Sequence, residues 1–145
     1  MERKHWTLLV LDNAEGLGLS PLQLQKSLFL IGRNLPGEVG DSYYQFVPYN
    51  YGPFDSTIYS DAHKLVDEEL VRMISVDGRN WVYYAITPEG HQFAEQLRAN
   101  SKVTDRASQY VEKVVKWVQS LSFPQLLSAI YQAFPEYKAN SVFVA

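Results

Sequence analysis

Residues 54–97, FDSTIYSDAHKLVDEELVRMISVDGRNWVYYAITPEGHQFAEQL, decide the fold of this chain. Their first part carries apolar residues at helical spacing, which predicts a helix over Asp55 to Leu70 with one buried face. The apolar positions are Ile58, Ala62, Leu65, Val66 and Leu70. The stretch therefore begins with an amphipathic helix.

A β-hairpin and another helix follow in the same stretch. The pair Asp77-Gly78 lies between the apolar runs MISV (residues 73–76) and WVYY (residues 81–84), and such a pair is a strong signal for a hairpin. Thr87 and Pro88 have the residue types that favour an N-cap and a first helical position. A helix, a hairpin and a helix in this order predict a winged helix, a fold that mostly binds DNA or other proteins.

Two further helices precede this stretch. The first is expected over Lys4 to Ala14. Ser20, Pro21 and Gln23 match an N-cap, a first helical position and a capping box, which predicts the start of a second helix. That helix is expected to run to about Asn34, where a proline and a glycine follow and end its pattern.

The segment between the second helix and residue 54 is rich in aromatic residues. Gly37 to Asp41 is expected to form a flexible loop. Tyr43 to Val47 is expected to form a strand that Pro48 ends. Alternation along that strand predicts that Phe46 and one tyrosine lie in the core, with the rings of the other side exposed.

The C-terminal part of the chain predicts two more helices. Asn100 to Val103 is the best candidate for a boundary, and a helix is expected from Thr104 to Leu121. Ser122 with Gln125 forms a second capping-box pattern, which predicts the start of the last helix. The apolar tail at residues 140–145 is either a docked strand or a frayed terminus.

These elements predict a mainly α fold with a small β-hairpin. Residues 1–100 are expected to form a winged-helix-like domain, and residues 101–145 a C-terminal two-helix annex packed on the same core. A length of 145 residues suits one domain with such an annex.

The composition excludes several classes of function. The chain has no cysteine, which excludes disulfides, thiolate zinc sites and thiol nucleophiles. No apolar run approaches the roughly 18 residues of a membrane span, so we expect a cytoplasmic protein with no membrane partner. The formal net charge is −3, which argues against general affinity for nucleic acid, because contacts to phosphate supply most of it.

Three pieces of the chain carry a recognisable pattern: LQKSLFLIGRNL (residues 24–35), YYQFVPYNYGPFDSTIYSDAHKLVDEELV (residues 43–71) and LLSAIYQAFPEY (residues 126–137). A helix with LQK, an aromatic strand leading to YGP and a helix, and a late helix ending in proline resemble the YwgA-like and Panacea families of small bacterial and archaeal proteins. The Panacea family is similar to the SocA antitoxin. The clearer hairpin over Arg72 to Ile86 fits the YwgA-like branch better, and that branch has no settled activity. The resemblance implies a regulatory or partner-binding protein and no enzymatic reaction.

The helix over Asp55 to Leu70 and the hairpin are the candidates for contact with DNA. In a winged helix the third helix usually enters the major groove, and the wing lies on the backbone or in the minor groove. The candidate residues are Ser56, Thr57, Ser60, Lys64, Arg72, Arg79 and Asn80. The positions expected to face outward on this helix also include Asp61, Asp67 and Glu68. Carboxylates repel phosphates, so a solvated acidic face on a structural helix is at least as good an interpretation.

The aromatic segment and the LQK motif supply the candidates for contact with a protein. Tyr49 and Tyr51 are predicted to be interface anchors, since tyrosine is favoured in that role. The alternative for the turn at Asn50 to Pro53 is a purely structural role in folding. Lys26 is a third candidate, because the resemblance places it in the LQK motif.

Catalysis is not expected, and neither a cofactor nor a metal is predicted. His5, His63 and His91 are scattered and match no metal-binding spacing. The chain contains no GxSxG elbow and no glycine-rich phosphate loop with lysine. A homodimer is a further expectation, through the predicted helix face of Val111, Val114, Trp117 and Val118.

The sequence therefore favours a non-enzymatic regulatory binding module, a winged helix like those of transcription regulators, whose partner is DNA or a protein. The alternative is an antitoxin-like protein that neutralises a partner toxin by direct protein binding.

Overall fold

The computed structural model describes residues 1–143 of the chain. This part is mainly helical, with seven α-helices and two antiparallel strand pairs. The helices are α1 (Arg3–Asp12), α2 (Pro21–Asn34), α3 (Pro36–Val39), α4 (Thr57–Asp67), α5 (Pro88–Ala99), α6 (Asp105–Ser120) and α7 (Phe123–Ala133). The strands are β1 (Val47–Tyr49), β2 (Gly52–Phe54), β3 (Val71–Ser75) and β4 (Val82–Ile86), and a 3-10 helix (Pro135–Lys138) follows α7.

Three helices begin at the caps that the sequence predicts. The Ser20 hydroxyl accepts a hydrogen bond from the Gln23 N–H at 3.2 Å, and the Gln23 side chain accepts one from the Ser20 N–H at 3.0 Å. Ser122 and Gln125 make the same reciprocal pair at the start of α7. The Thr87 hydroxyl caps α5. These predictions are confirmed, because each cap depends only on neighbouring residues that satisfy free backbone donors.

The core lies around α1 and α2. Every residue of α1 from His5 to Leu11 is buried, because α2, α4, α5, α6 and β4 pack around that helix. Helix α6 packs along α2, and the buried apolar side chains of both helices belong to one hydrophobic cluster. This packing positions α7 and the hairpin at the surface of the same core.

The face predicted to form a homodimer is largely used within the chain. Val111, Val114 and Val118 are at most 5% exposed and belong to the core. Of the four predicted residues only Trp117 is exposed, at 41%. The dimer prediction is therefore wrong for the three valines, because the apolar stripe of α6 covers α2 instead.

The predicted hairpin is confirmed, with a longer connection than expected. Val71 lies opposite Ile86, and Ser75 lies opposite Val82, so residues 76–81 join the strands, where the predicted runs leave only residues 77–80 between them. A single antiparallel bridge also joins Leu19 to Tyr84. The segment before α2 therefore lies beside β4, on the edge opposite β3.

Two expectations for the aromatic segment are wrong. The expected loop at residues 37–41 begins inside the short helix α3, which Pro36 opens at a position where proline favours helix. The expected strand at residues 43–47 is displaced toward the C-terminus, because β1 pairs with β2 across a tight turn and runs through Pro48. Pro48 and its partner Pro53 therefore lie within a strand pair, although the sequence predicts that Pro48 ends a strand.

Both tyrosines before β1 are buried, where alternation predicts only one. The Tyr43 hydroxyl donates to the Leu28 carbonyl at 2.6 Å, and the Tyr44 hydroxyl donates to Asp61 at 2.7 Å. The segment is not a strand there, so alternation does not govern which way the rings point.

The tail is docked through residue 143. The Val142 N–H donates to the Asn50 carbonyl at 2.9 Å, and the Phe143 ring lies 5.7 Å from the Phe123 ring. The docked alternative is confirmed to this point without strand structure, and residues 144–145 lie outside the described residues. Across residues 1–143, no helix has the length and apolar character needed to cross a bilayer.

Candidate binding groove

An open groove of about 590 Å³ lies where the β3–β4 hairpin, the start of α2 and the α6–α7 corner meet. Its walls are mostly apolar, with few polar groups, which is typical of sites that take a ligand or a peptide. We call it the aromatic groove; its lining residues are Ser20, Pro21, Leu22, Gln23, Tyr51, Arg79, Trp81, Tyr83, Leu121, Ser122, Phe123 and Leu126.

Three of the rings in this groove are large and exposed. Tyr51 and Phe123 are each 44% exposed, and Trp81 is 40% exposed. The Tyr51 and Phe123 rings meet edge to face with centroids 5.6 Å apart, and the Trp81 ring lies 6.4 Å from the Tyr83 ring. Contacts between paired rings restrict the orientation of each ring. Clustered exposed apolar side chains are typical of interaction sites.

Tyr51 reaches the groove because the turn between β1 and β2 is anchored on both sides. Gly52 follows it with φ +91°, a backbone conformation that glycine adopts at little cost. Lys26 of α2 donates from Nζ to the Pro53 carbonyl at 3.0 Å. On the other side, the docked tail bonds the Asn50 carbonyl. The turn is therefore fixed from beneath by a helix and from the side by the C-terminal segment.

Lys26 is buried and does not form part of the surface. It is 2% exposed, and burial lowers the pKa of its amine to about 7. The prediction that Lys26 contacts a partner directly is wrong, because its stem and amine lie under the turn that carries Tyr51. Its role is to hold that turn.

Arg79 is the charged member of the groove. Of the lining residues in the described chain, it alone carries a full charge at pH 7. Its guanidinium lies 5.4 Å from the centroid of the Trp81 ring, an arrangement that stabilises the cation over the ring face. Within residues 1–143 the arginines that form ion pairs are Arg3, Arg33 and Arg98, so the charge of Arg79 has no carboxylate opposite it.

The structure separates the two predicted partner tyrosines. Tyr51 lines the aromatic groove. Tyr49 is also exposed, at 48%, but its ring stacks on Phe54 with centroids 4.5 Å apart and does not line the groove. The sequence did not single out Trp81, Tyr83 or Phe123 as partner residues, because they come from distant segments that only the fold brings together.

The candidate DNA residues of α4 lie at the surface beside acidic groups. Ser56, Thr57, Ser60 and Lys64 are exposed. The Asp55 carboxylate accepts from the Thr57 N–H at 2.9 Å and from its hydroxyl at 2.7 Å. The start of the helix, where a phosphate would be favoured, therefore already holds a carboxylate.

The hairpin carries the remaining DNA candidates. Arg72, Arg79 and Asn80 are exposed. Arg79 alone of these three lines the aromatic groove. The structure therefore divides the predicted DNA residues between α4, the hairpin edge and the groove.

Asp61 does not face outward as expected. It is 2% exposed, and its carboxylate accepts from Arg3 at 2.8 and 3.1 Å and from the Tyr44 hydroxyl. Burial opposes ionisation of this group, but the hydrogen bonds from Arg3 and Tyr44 outweigh burial, so the pKa of Asp61 is lowered. Lys64, at 3.9 Å, adds a longer ion pair. Asp61 therefore ties α1 to α4 and the aromatic segment.

A second polar cluster joins α1 to α5. Ligand atoms of Asp12, His91 and Glu95 lie within 4.8 Å of one another. Arg98 bonds both carboxylates at 2.8 Å, so the cluster already contains its own cation. His91 bonds Asp12 at 2.7 Å, and this hydrogen bond raises the pKa of the imidazole. The arrangement is an ion-pair network between two helices.

Comparison with the models of known protein families finds no match to this chain, and a search of curated proteins finds none either. Membership of the YwgA-like or Panacea families stays a prediction from the sequence motifs.

Proposed function

We propose that this protein is a non-enzymatic regulatory module that binds a protein partner through the aromatic groove. One observation carries the proposal: Tyr51, Trp81 and Phe123, from three separate parts of the chain, expose their rings in one groove. Arg79 is the one fully charged residue of its lining in the described chain. Tyrosine, tryptophan and arginine dominate the residues that supply binding energy in protein interfaces.

A winged-helix-like arrangement of residues 1–100, with a two-helix annex over residues 101–145, is part of the proposal. Its support is the order of α1, the Leu19 bridge, α2, α4 and the β3–β4 hairpin, with β4 between Leu19 and β3. In this arrangement residues 76–81 are the wing, and their exposed side chains lead into the groove.

The groove suits binding better than acid–base chemistry. Among the lining residues of the described chain there is no carboxylate, imidazole or amine. General acid–base catalysis most often uses such groups, placed within hydrogen-bond reach of a substrate. The groups that the groove offers are aromatic rings, hydroxyls and a guanidinium, which recognise a partner.

DNA is the second candidate partner. The observation that favours it is the exposure of two arginines, Arg72 and Arg79, on one hairpin. Against it, the C-terminal end of α4 exposes Asp67, Glu68 and Glu69, which repel phosphates. A protein partner therefore fits better, and a toxin, as in the antitoxin-like alternative, is one such partner.

Two measurements test the proposal. Fluorescence anisotropy with a random 20-base-pair duplex, at about 50 and 200 mM salt, should show only weak binding. Tight binding whose affinity falls by a factor of about a thousand between those two salt concentrations would instead identify a DNA-binding protein.

The second measurement is copurification from cells of the source organism. Wild-type chain and a Trp117→Ala control, altered at an equally exposed tryptophan outside the groove, should retain the same protein at similar yield. Trp81→Ala should lose it. Equal retention by all three chains would contradict a role for the groove.

A further inference from the structure

We propose that the aromatic groove binds an extended, proline-rich peptide segment that carries an acidic residue beside its prolines. This rests on the proposed protein-binding function and names the chemistry of the partner. Three features of the groove point to it: its rings, its hydrogen-bond donors and its charge.

The rings suit a proline-rich chain. Tyr51 and Phe123 stand edge to face on one side, and Trp81 and Tyr83 lie close together on the hairpin side. Proline-rich segments form a preordered extended helix that docks into grooves lined by aromatic residues. Because that helix is already ordered when free, little conformational entropy is lost on binding.

The hydrogen-bonding groups of the groove are mainly donors. Within residues 1–143 the Trp81 indole N–H and the Arg79 guanidinium make no side-chain hydrogen bond, although the Arg79 backbone N–H bonds Val76. The acceptors at the helix starts are already in use. The Ser20 hydroxyl and the side-chain oxygen of Gln23 form the cap of α2, and the Ser122 hydroxyl caps α7. A segment with many carbonyls and few N–H groups is complementary, and proline contributes only a carbonyl.

The charge of the groove selects an acidic residue. Arg79 is its single full charge and has no carboxylate opposite it in the described chain. A carboxylate on the bound segment can accept two parallel hydrogen bonds from a guanidinium. A lysine at the same place would instead be repelled.

Strand addition is a weaker alternative for this groove. Strand addition needs a strand edge without a partner. The groove is lined by one strand residue, Tyr83 of β4, and the two edges of β4 already face β3 and Leu19. The bound segment is therefore recognised by side chains, and a proline-rich segment needs no backbone ladder.

The experiment begins with selection from a library of random displayed dodecapeptides on the wild-type chain, after subtraction of peptides that also bind the Trp81→Ala variant. The selected sequences should share two or more prolines and an acidic residue. A groove-dependent consensus without proline, or with a basic residue, would overturn this inference and leave the protein-binding function standing. A failure to select any groove-dependent peptide would count against both.

Synthetic peptides then measure the recognition. Fluorescein-labelled PPLPELPPLPEL should bind at least about 10-fold tighter than PPLPKLPPLPKL or AALAELAALAEL, in an anisotropy titration at about 50 mM salt. The alanine peptide keeps the acids and leucines but favours an α-helix, so its tighter binding would overturn the proposal.

Three variants locate the site. Trp81→Ala should weaken binding of the acidic peptide by about 30-fold, whereas the equally exposed Trp117→Ala control should change it by less than about 2-fold. Arg79→Gln, which leaves the rings in place, should bring the affinities of the glutamate and lysine peptides within about 3-fold of each other. An unchanged preference for glutamate in Arg79→Gln would contradict the role given to this charge.

Discussion

Replacing Lys26 by methionine should stabilise the folded chain near pH 7 and remove the pH dependence that the buried amine imposes. The Lys26 side chain lies under the turn that carries Tyr51, with one hydrogen bond to the Pro53 carbonyl. Methionine has a similar length and flexibility and no charge, so it fills the same space. The change therefore isolates the free energy of burying the amine.

The magnitude follows from the pKa of Lys26. Burial lowers it from 10.5 to about 7, which is a difference of about 3.5 pH units. At 1.36 kcal/mol per unit, protonation of this amine costs the folded state about 5 kcal/mol relative to the unfolded state. Methionine loses the hydrogen bond and leaves the carbonyl without its donor, which costs about 1–2 kcal/mol. At pH 7 the amine of the folded chain is only half protonated, so the penalty there is about 4 kcal/mol and the net gain from Lys26→Met is about 2–3 kcal/mol.

The sign of the pH dependence is fixed by the direction of this shift. Between pH 7 and 10.5 the unfolded chain holds a proton on Lys26 that the folded chain does not, so the wild-type free energy of unfolding rises with pH. Below pH 7 both states are protonated and the full penalty is present. Above pH 10.5 the penalty is gone. The advantage of the methionine variant should fall across this range and become a deficit of about 1–2 kcal/mol, the cost of the lost hydrogen bond.

Urea unfolding followed by circular dichroism at pH 6.5, 8 and 9.5 measures this difference. Taking the difference between the two chains cancels the titration of the tyrosines, which both chains share. Two stability curves that run parallel from pH 6.5 to 9.5 would refute the claim that burial holds this amine neutral near pH 8. A variant less stable than wild type at every pH would refute it as well.

Two further predictions concern α1 and the segment that follows it. In an NMR titration, His91 should titrate above pH 6.5, because its hydrogen bond to Asp12 raises its pKa. His5 should titrate below pH 6.5, because burial lowers its pKa. The reverse order of the two histidines would contradict the ion-pair network. Gly18→Ala should destabilise the chain by more than about 3 kcal/mol, because the added Cβ would lie 1.9 Å from a β4 carbonyl oxygen. Gly16→Ala, also at positive φ but in open space, should cost only about 1 kcal/mol; equal losses in urea unfolding would show that the bridge to β4 is unimportant.

The helices could be predicted well because their signals are local. The caps at Ser20, Thr87 and Ser122 depend on residues within three positions, and each is present in the structure. The hairpin can be predicted for the same reason. The length of its connection cannot, because the pairing register depends on the bridge to Leu19 and on packing against the core, which no short sequence pattern encodes.

Burial of polar groups could not be predicted from spacing. Asp61 follows the helical pattern of an exposed position, yet Arg3 and Tyr44 reach it from distant parts of the chain. Lys26 stands in a helix whose outer face is then covered by the β1–β2 turn. In both cases the partner that makes burial tolerable is far away in sequence.

The candidate site was predicted only in part. The sequence predicts Tyr51 and Arg79 as contact residues, but for different partners. The sequence does not mark Trp81 or Phe123 as contact residues, because they come from segments that only the fold brings together. Their common exposure beside one groove is a property of the tertiary fold alone.

The most direct test of the central claim is site-specific photo-cross-linking in cells of the source organism. A photoreactive phenylalanine derivative replaces Trp81 in one chain and Trp117 in a control chain of equal exposure. The account predicts a cross-linked protein partner from position 81, sensitive to protease and insensitive to nuclease, and no such product from position 117. A nucleic-acid product from position 81, or the same products from both positions, would contradict it.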